Sequence, residues 1–122
     1  MIKISDMIKN KSKKSLISEE QLLEKLEELF IREKYYKRIQ EKIDKGLLNN
    51  ENEVYISFSI RDIKKQIKPY LQSKETFTEK QLVTVIKQWA IEQDKTMETV
   101  FNWNFERDLY NDLYFNIQIG LS

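Results

Sequence analysis

Chemistry in this chain has to come from lysine, arginine, the carboxylates and the amides, because the 122 residues contain neither histidine nor cysteine. Imidazole acid–base catalysis, Ser-His triads, thiolate nucleophiles and the common zinc sites are thereby excluded. The cations cluster. Residues 60–73 carry Arg61, Lys64, Lys65 and Lys68 against the single acid Asp62, and residues 1–17 carry Lys3, Lys9, Lys11, Lys13 and Lys14 against Asp6. Surface helices ordinarily mix signs, so such runs point to a negatively charged partner, with phosphate the simplest. Residues 96–122 are the reverse: Glu98, Glu106, Asp108 and Asp112 surround Arg107. The net charge of +1 hides this division. A magnesium-dependent nuclease would need carboxylates on adjoining strands. The strand-like runs 54–60, 99–105 and 113–119 carry none. The expected protein is therefore non-enzymatic, with no cofactor and no metal.

The elements that must hold these side chains are legible from caps and periodicity. Thr78-Glu79-Lys80-Gln81 is a capping box, in which threonine and glutamine satisfy each other's backbone N–H groups. Leu82, Val85, Ile86, Trp89 and Ala90 then mark one face of a helix expected to stop near 93–95. Two alternating runs follow, Phe101-Trp103-Phe105 and Leu113-Phe115-Ile117-Ile119, joined by Glu106–Asp112. That connection has no glycine and is too long for a two-residue turn, which predicts an open, projecting loop. Leu109 and Tyr110 at its tip either fold back onto the sheet or contact a partner.

A second capping box, Ser18-Glu19-Glu20-Gln21, opens an earlier helix. Leu22, Leu26, Leu29, Phe30, Tyr36, Ile39 and Ile43 keep helical spacing, and Gly46 suits a left-handed C-terminal cap. The reading is one helix over 18–45, roughly 40 Å long at 1.5 Å per residue. Leu23, Ile31 and Tyr35 widen its apolar surface, either to cover the core's edge or to form a homodimer seam. Val54, Ile56, Phe58 and Ile60 alternate as a half-buried strand. Ser59 is placed to cap a further helix with Ile60, Ile63, Ile67 and Leu71 inward, and Pro69 should kink or end it near Lys68.

Length gives one domain, large enough to bury roughly two thirds of its unfolded surface. The domain is expected over 18–122, after a basic, loosely ordered arm at 1–17. Glycine and proline are confined to Gly46, Gly120 and Pro69, so glycine-rich phosphate loops are absent. No apolar run approaches a membrane span, and the N-terminus lacks a secretory core. With no cysteine, a reducing, cytoplasmic setting is the expectation.

The order helix, strand, helix, helix, strand, strand over Ser18 to Ile119 resembles the winged helix-turn-helix superfamily. The resemblance rests on element order, not on a signature motif. It implies an α+β domain with a three-stranded antiparallel sheet, here with the long first helix read above from its spacing. It also implies that the third helix meets the major groove of double-stranded DNA. Carried over by position, the groove-facing residues are Lys80, Gln81, Thr84, Lys87 and Gln88. Glutamine can bond adenine in bidentate fashion, and lysine can reach guanine or phosphate. Arg61, Lys64, Lys65 and Lys68 would hold phosphate, and Arg107 would reach in from the hairpin. The implied role is a DNA-binding module, such as a transcriptional regulator or a replication or mobile-element accessory protein; one recognition helix reads few base pairs, so a dimer is expected, with residues 18–45 the candidate seam. The acidic hairpin argues otherwise, because carboxylates near phosphate are repelled. The competing expectation is a small phage or mobile-element inhibitor or adaptor that binds a host protein through Glu106, Asp108, Tyr110 and Asp112.

Overall fold

A computed structural model describes residues 15–122. The expected basic arm lies largely outside them. Ser15 to Ile17 belong to the body instead. Ser15–Leu16 (β1) runs parallel to Glu75–Thr76 (β3), and Ile17 is buried. The architecture is α+β. After β1 come helices Glu19–Arg32 (α1) and Tyr35–Leu48 (α2), strand Glu53–Ser59 (β2) and helix Ile60–Ile67 (α3). A 3-10 turn at Lys68–Tyr70 leads to β3, helix Glu79–Thr96 (α4) and strands Phe101–Arg107 (β4) and Leu113–Gly120 (β5). The sheet is antiparallel in the order β2-β5-β4, so the early strand does pair with the terminal hairpin.

Both capping boxes form. Gln21 N–H donates to Ser18 Oγ at 3.1 Å and Gln81 N–H to Thr78 Oγ1 at 3.1 Å, with each glutamine side chain accepting from the cap's own N–H. Ser59 caps α3 by accepting from Asp62 N–H at 3.3 Å. Alternation along β2 buries Val54, Ile56 and Phe58, and β5 buries Phe115, Ile117 and Ile119. These side chains meet the helices at an aromatic hub. The Phe30 ring lies 4.8 Å from Trp89, 5.6 Å from Phe58 and 5.1 Å from Tyr35, centroid to centroid.

Three expectations fail for physical reasons. The single helix over 18–45 is two helices, broken at Lys34, which takes a left-handed φ of 66°. Continuing the stripe from Phe30 by three or four residues would place charged Glu33 or Lys34 in the core. The turn shifts the phase by one residue, so that Tyr35, Ile39 and Ile43 pack inward, while Tyr36 is exposed. No continuous helical seam for a dimer survives the break. Gly46 is not a cap either. It lies inside α2 with ordinary φ, where a Cβ would stand 2.6 Å from Val54 Cγ1 and 2.7 Å from Leu121 Cδ1. It is glycine because α2 presses on β2 and the C-terminal end. Finally, the hairpin connection is not open. Asp108 Oδ1 accepts from Tyr110 N–H at 2.8 Å and Asp112 N–H at 3.0 Å, and Asn111 supplies the positive φ of 64° that glycine usually provides.

Candidate nucleic-acid interface

The capping box starts α4 at a defined residue, and its buried stripe then dictates which side chains face out. Lys80, Lys87 and Gln88 are exposed, Thr84 is partly so, and exposed Ile91 continues the row. Between Lys80 and Ile91 the helix carries no acid. Gln81 departs from the expected set. Its Oε1 is held by the cap, and its Nε2 donates to Ile17 O at 2.8 Å, tying α4 to the segment before α1. A side chain bonded at both ends is not available to a base edge. Thr84 Oγ1 donates back to Lys80 O at 2.9 Å, so it presents its methyl and an acceptor oxygen, with no free donor.

The hairpin is braced against α3 and α4. Arg61, in the first turn of α3, donates to Asp112 Oδ1 at 2.5 Å. Arg107 donates through Nη2 to Glu79 Oε1 at 2.7 Å and through Nη1 to Asn111 O at 3.0 Å. The Lys87 ammonium sits 5.8 Å from the centroid of the Phe105 ring, a further link between α4 and β4. Arg61 and Arg107, two of the expected phosphate contacts, are therefore committed to carboxylates. The same pairs neutralise Asp112 and Glu79. Asp108 serves as the loop's internal acceptor, and Glu106 Oε2 accepts from Asn116 Nδ2 at 3.3 Å. Of the expected protein-facing set, Tyr110 alone projects without such a role. It is 86% exposed, and Leu109 beside it is wholly exposed.

The lysines behave differently. Among the described residues, Lys64, Lys65, Lys68, Lys80 and Lys87 form no ion pair. Lys64 and Lys68 line a shallow groove with Gln72, Ser73, Thr76 and the acid Glu75, whose Oε1 accepts from Gln72 N–H at 2.7 Å, at the entry to α4. The outer face of the sheet is polar and self-bonded. Ser57 Oγ donates to Asn116 Oδ1 at 2.5 Å, and Asn116 Nδ2 donates to Asn104 Oδ1 at 3.1 Å. Tyr55 and Gln118 both donate to Glu53, which holds that carboxyl below its usual range. Near the hairpin, the negative field of Asp108, followed by partial burial and Asp112, raises the Tyr114 hydroxyl above its usual range.

Sequence reasoning missed Arg38. Its guanidinium lies 4.9 Å from the Phe58 ring centroid and donates to Ser57 O at 2.8 Å. Nothing local announces it, because the partners lie across the turn into β2. No helix among the described residues is long and apolar enough to cross a membrane. Comparison with protein-family models, with curated proteins and with solved structures returns no match.

Proposed function

We propose that the chain is a non-enzymatic, DNA-binding module of winged-helix type. In this reading α4 lies in the major groove of the duplex. Lys80, Lys87 and Gln88 reach base edges or phosphate, while Lys64, Lys65 and Lys68 of α3 and the turn after it hold the flanking backbone. The observation that carries the reading is the acid-free, exposed row on α4, with α3 lysines that form no ion pair among the described residues near the entry to that helix. The order β2-β5-β4, with a hairpin fastened next to the start of α4, supports it. Arg61 and Arg107 set the hairpin's position instead of touching phosphate.

The competing reading, an acidic hairpin that faces a basic protein, loses weight because Asp108 and Asp112 are occupied within the fold. The test is titration of a labelled duplex at several salt concentrations. Each phosphate neutralised should contribute about −0.9 to the slope of log K against log salt. Absence of binding at low salt, or binding indifferent to salt, would refute the proposal.

A further inference from the structure

A strand at the rim of a sheet leaves the N–H and C=O of every second residue without a ladder partner. The parity on β4 follows from the bond donated by Gly120 N–H to Val100 O at 2.7 Å. Counting in twos along the register, Asn102, Asn104 and Glu106 exchange bonds with Gln118, Asn116 and Tyr114. The backbone groups of Phe101, Trp103, Phe105 and Arg107 point outward. On β2 the bond from Leu121 N–H to Asn52 O sets the opposite rim, and there Ser57 O turns outward to meet Arg38 with α2 alongside. One rim is covered. Among the described residues, no hydrogen bond reaches the outward groups of the other.

β4 carries few of the usual protections of a rim. It has no proline, no lysine and no bulge, since its register with β5 is unbroken, and its two charges, Glu106 and Arg107, stand only at its last two positions. Its inner-face aromatics, Phe101, Trp103 and Phe105, are only partly buried.

We propose that β4 is a homodimer seam, pairing antiparallel with β4 of a second copy about a two-fold axis at Asn104. The strand is complementary to itself in that register. Trp103 and the partner's Phe105 both turn backbone groups outward, so they can exchange two hydrogen bonds and set aromatic side chains opposite each other. Asn104 meets the partner's Asn104, amide to amide, and extends the polar row from Ser57 and Asn116 across the axis. Asn102 faces the partner's Glu106, and Phe101 faces the partner's Arg107. No like charges are opposed. The ends match too. Leu109 and Tyr110 are exposed beyond one end of β4, and Val100, 57% exposed, precedes the other. Antiparallel pairing brings each tip beside the partner's Val100. A two-fold axis perpendicular to the sheet also leaves both α4 helices on the same side of a six-stranded sheet. The inference does not rest on DNA binding and is tested without it.

The test uses the full-length chain in sedimentation experiments at micromolar concentrations. Asn104 is exposed on the outer face, so Asn104→Lys and Asn104→Asp should each leave the monomer folded, as melting curves at low concentration will check. Each variant puts like charges directly opposite on the axis, and each by itself should lose the dimer. An equimolar mixture, with lysine opposite aspartate, should recover it. The proposal is overturned if the unaltered chain stays monomeric, if its dimer is indifferent to both variants, or if the mixture fails to recover the dimer.

Discussion

Two arginines and five lysines on α3, the turn after it, α4 and the hairpin carry the same charge and do opposite things. Arg61 and Arg107 commit their charge to Asp112 and Glu79, fastening the hairpin to α3 and α4. Lys64, Lys65, Lys68, Lys80 and Lys87 meet no carboxylate among the described residues. The chemistry of the two side chains accounts for the division. A planar guanidinium holds two acceptors at once, as Arg107 does, and fixes geometry. An ammonium on a flexible stem is a compact, strongly hydrated point charge that fixes no geometry. A basic residue count therefore overstates a binding face when it does not separate cations that build the face from cations that the face presents.

The sharpest way to break this comparison is to remove presented charge. Lys80→Ala with Lys87→Ala, added to Lys64→Ala, Lys65→Ala and Lys68→Ala, should lower duplex affinity by about 100-fold or more and flatten the salt slope by ~0.9 for each phosphate no longer neutralised. Fluorescence anisotropy across a salt series measures both, and the melting temperature should scarcely move. A change remote from either set gives the opposite signature. Gly46→Val forces α2 away from Val54 and Leu121, and should cost about 1–3 kcal/mol in denaturant unfolding with affinity per folded molecule unchanged.

Smaller effects come from the arginines. Arg61 is 65% exposed at the side chain, so its pair with Asp112 is a surface pair of at most about 1 kcal/mol. A double-mutant cycle of Arg61→Ala and Asp112→Ala should return a coupling of that size. Affinity for DNA should change far less than with the lysines. If Arg61→Ala instead matches a lysine substitution, the division drawn above is wrong. The smallest effect concerns pH. Burial raises the Tyr35 hydroxyl, a bond to Glu33 raises Tyr70, and the Asp108 field raises Tyr114, all from an ordinary 10.0. A group whose folded pKa is raised adds stability that is complete below its unfolded value and is lost as pH climbs through the folded one. The tyrosine contribution should thus be flat from neutral pH up to about pH 10 and decline above it, read by alkaline melts with tyrosinate absorbance.

Much of the architecture is legible in the chain because its signals are local. Ser18 and Thr78 announce their helices through a glutamine three residues on. Ser59 does so by following a period-two strand. The break at Lys34 is also written, as a one-residue slip between Phe30 and Tyr35, but a continuous stripe is the simpler reading. Gly46 misleads because glycine serves both as a cap and as a place for close approach, and only the nearness of Val54 and Leu121 distinguishes them. The site is less legible than the fold. Lys80, Lys87 and Gln88 face out as the spacing of α4 requires, whereas Gln81 is withdrawn by a bond to Ile17, 64 residues away.

By itself the amino-acid sequence determined where most helices and strands begin, which faces are apolar, and which chemistries are out of reach. Those depend on backbone hydrogen bonds and side-chain spacing within a few residues. The tertiary structure decided which charges remain available, because Arg61 meets Asp112 across 51 residues and Arg107 meets Glu79 across 28. It also decided which rim of the sheet packs against a helix. Pairings over such separations depend on how packed elements converge in space, and no local pattern in the chain encodes that convergence.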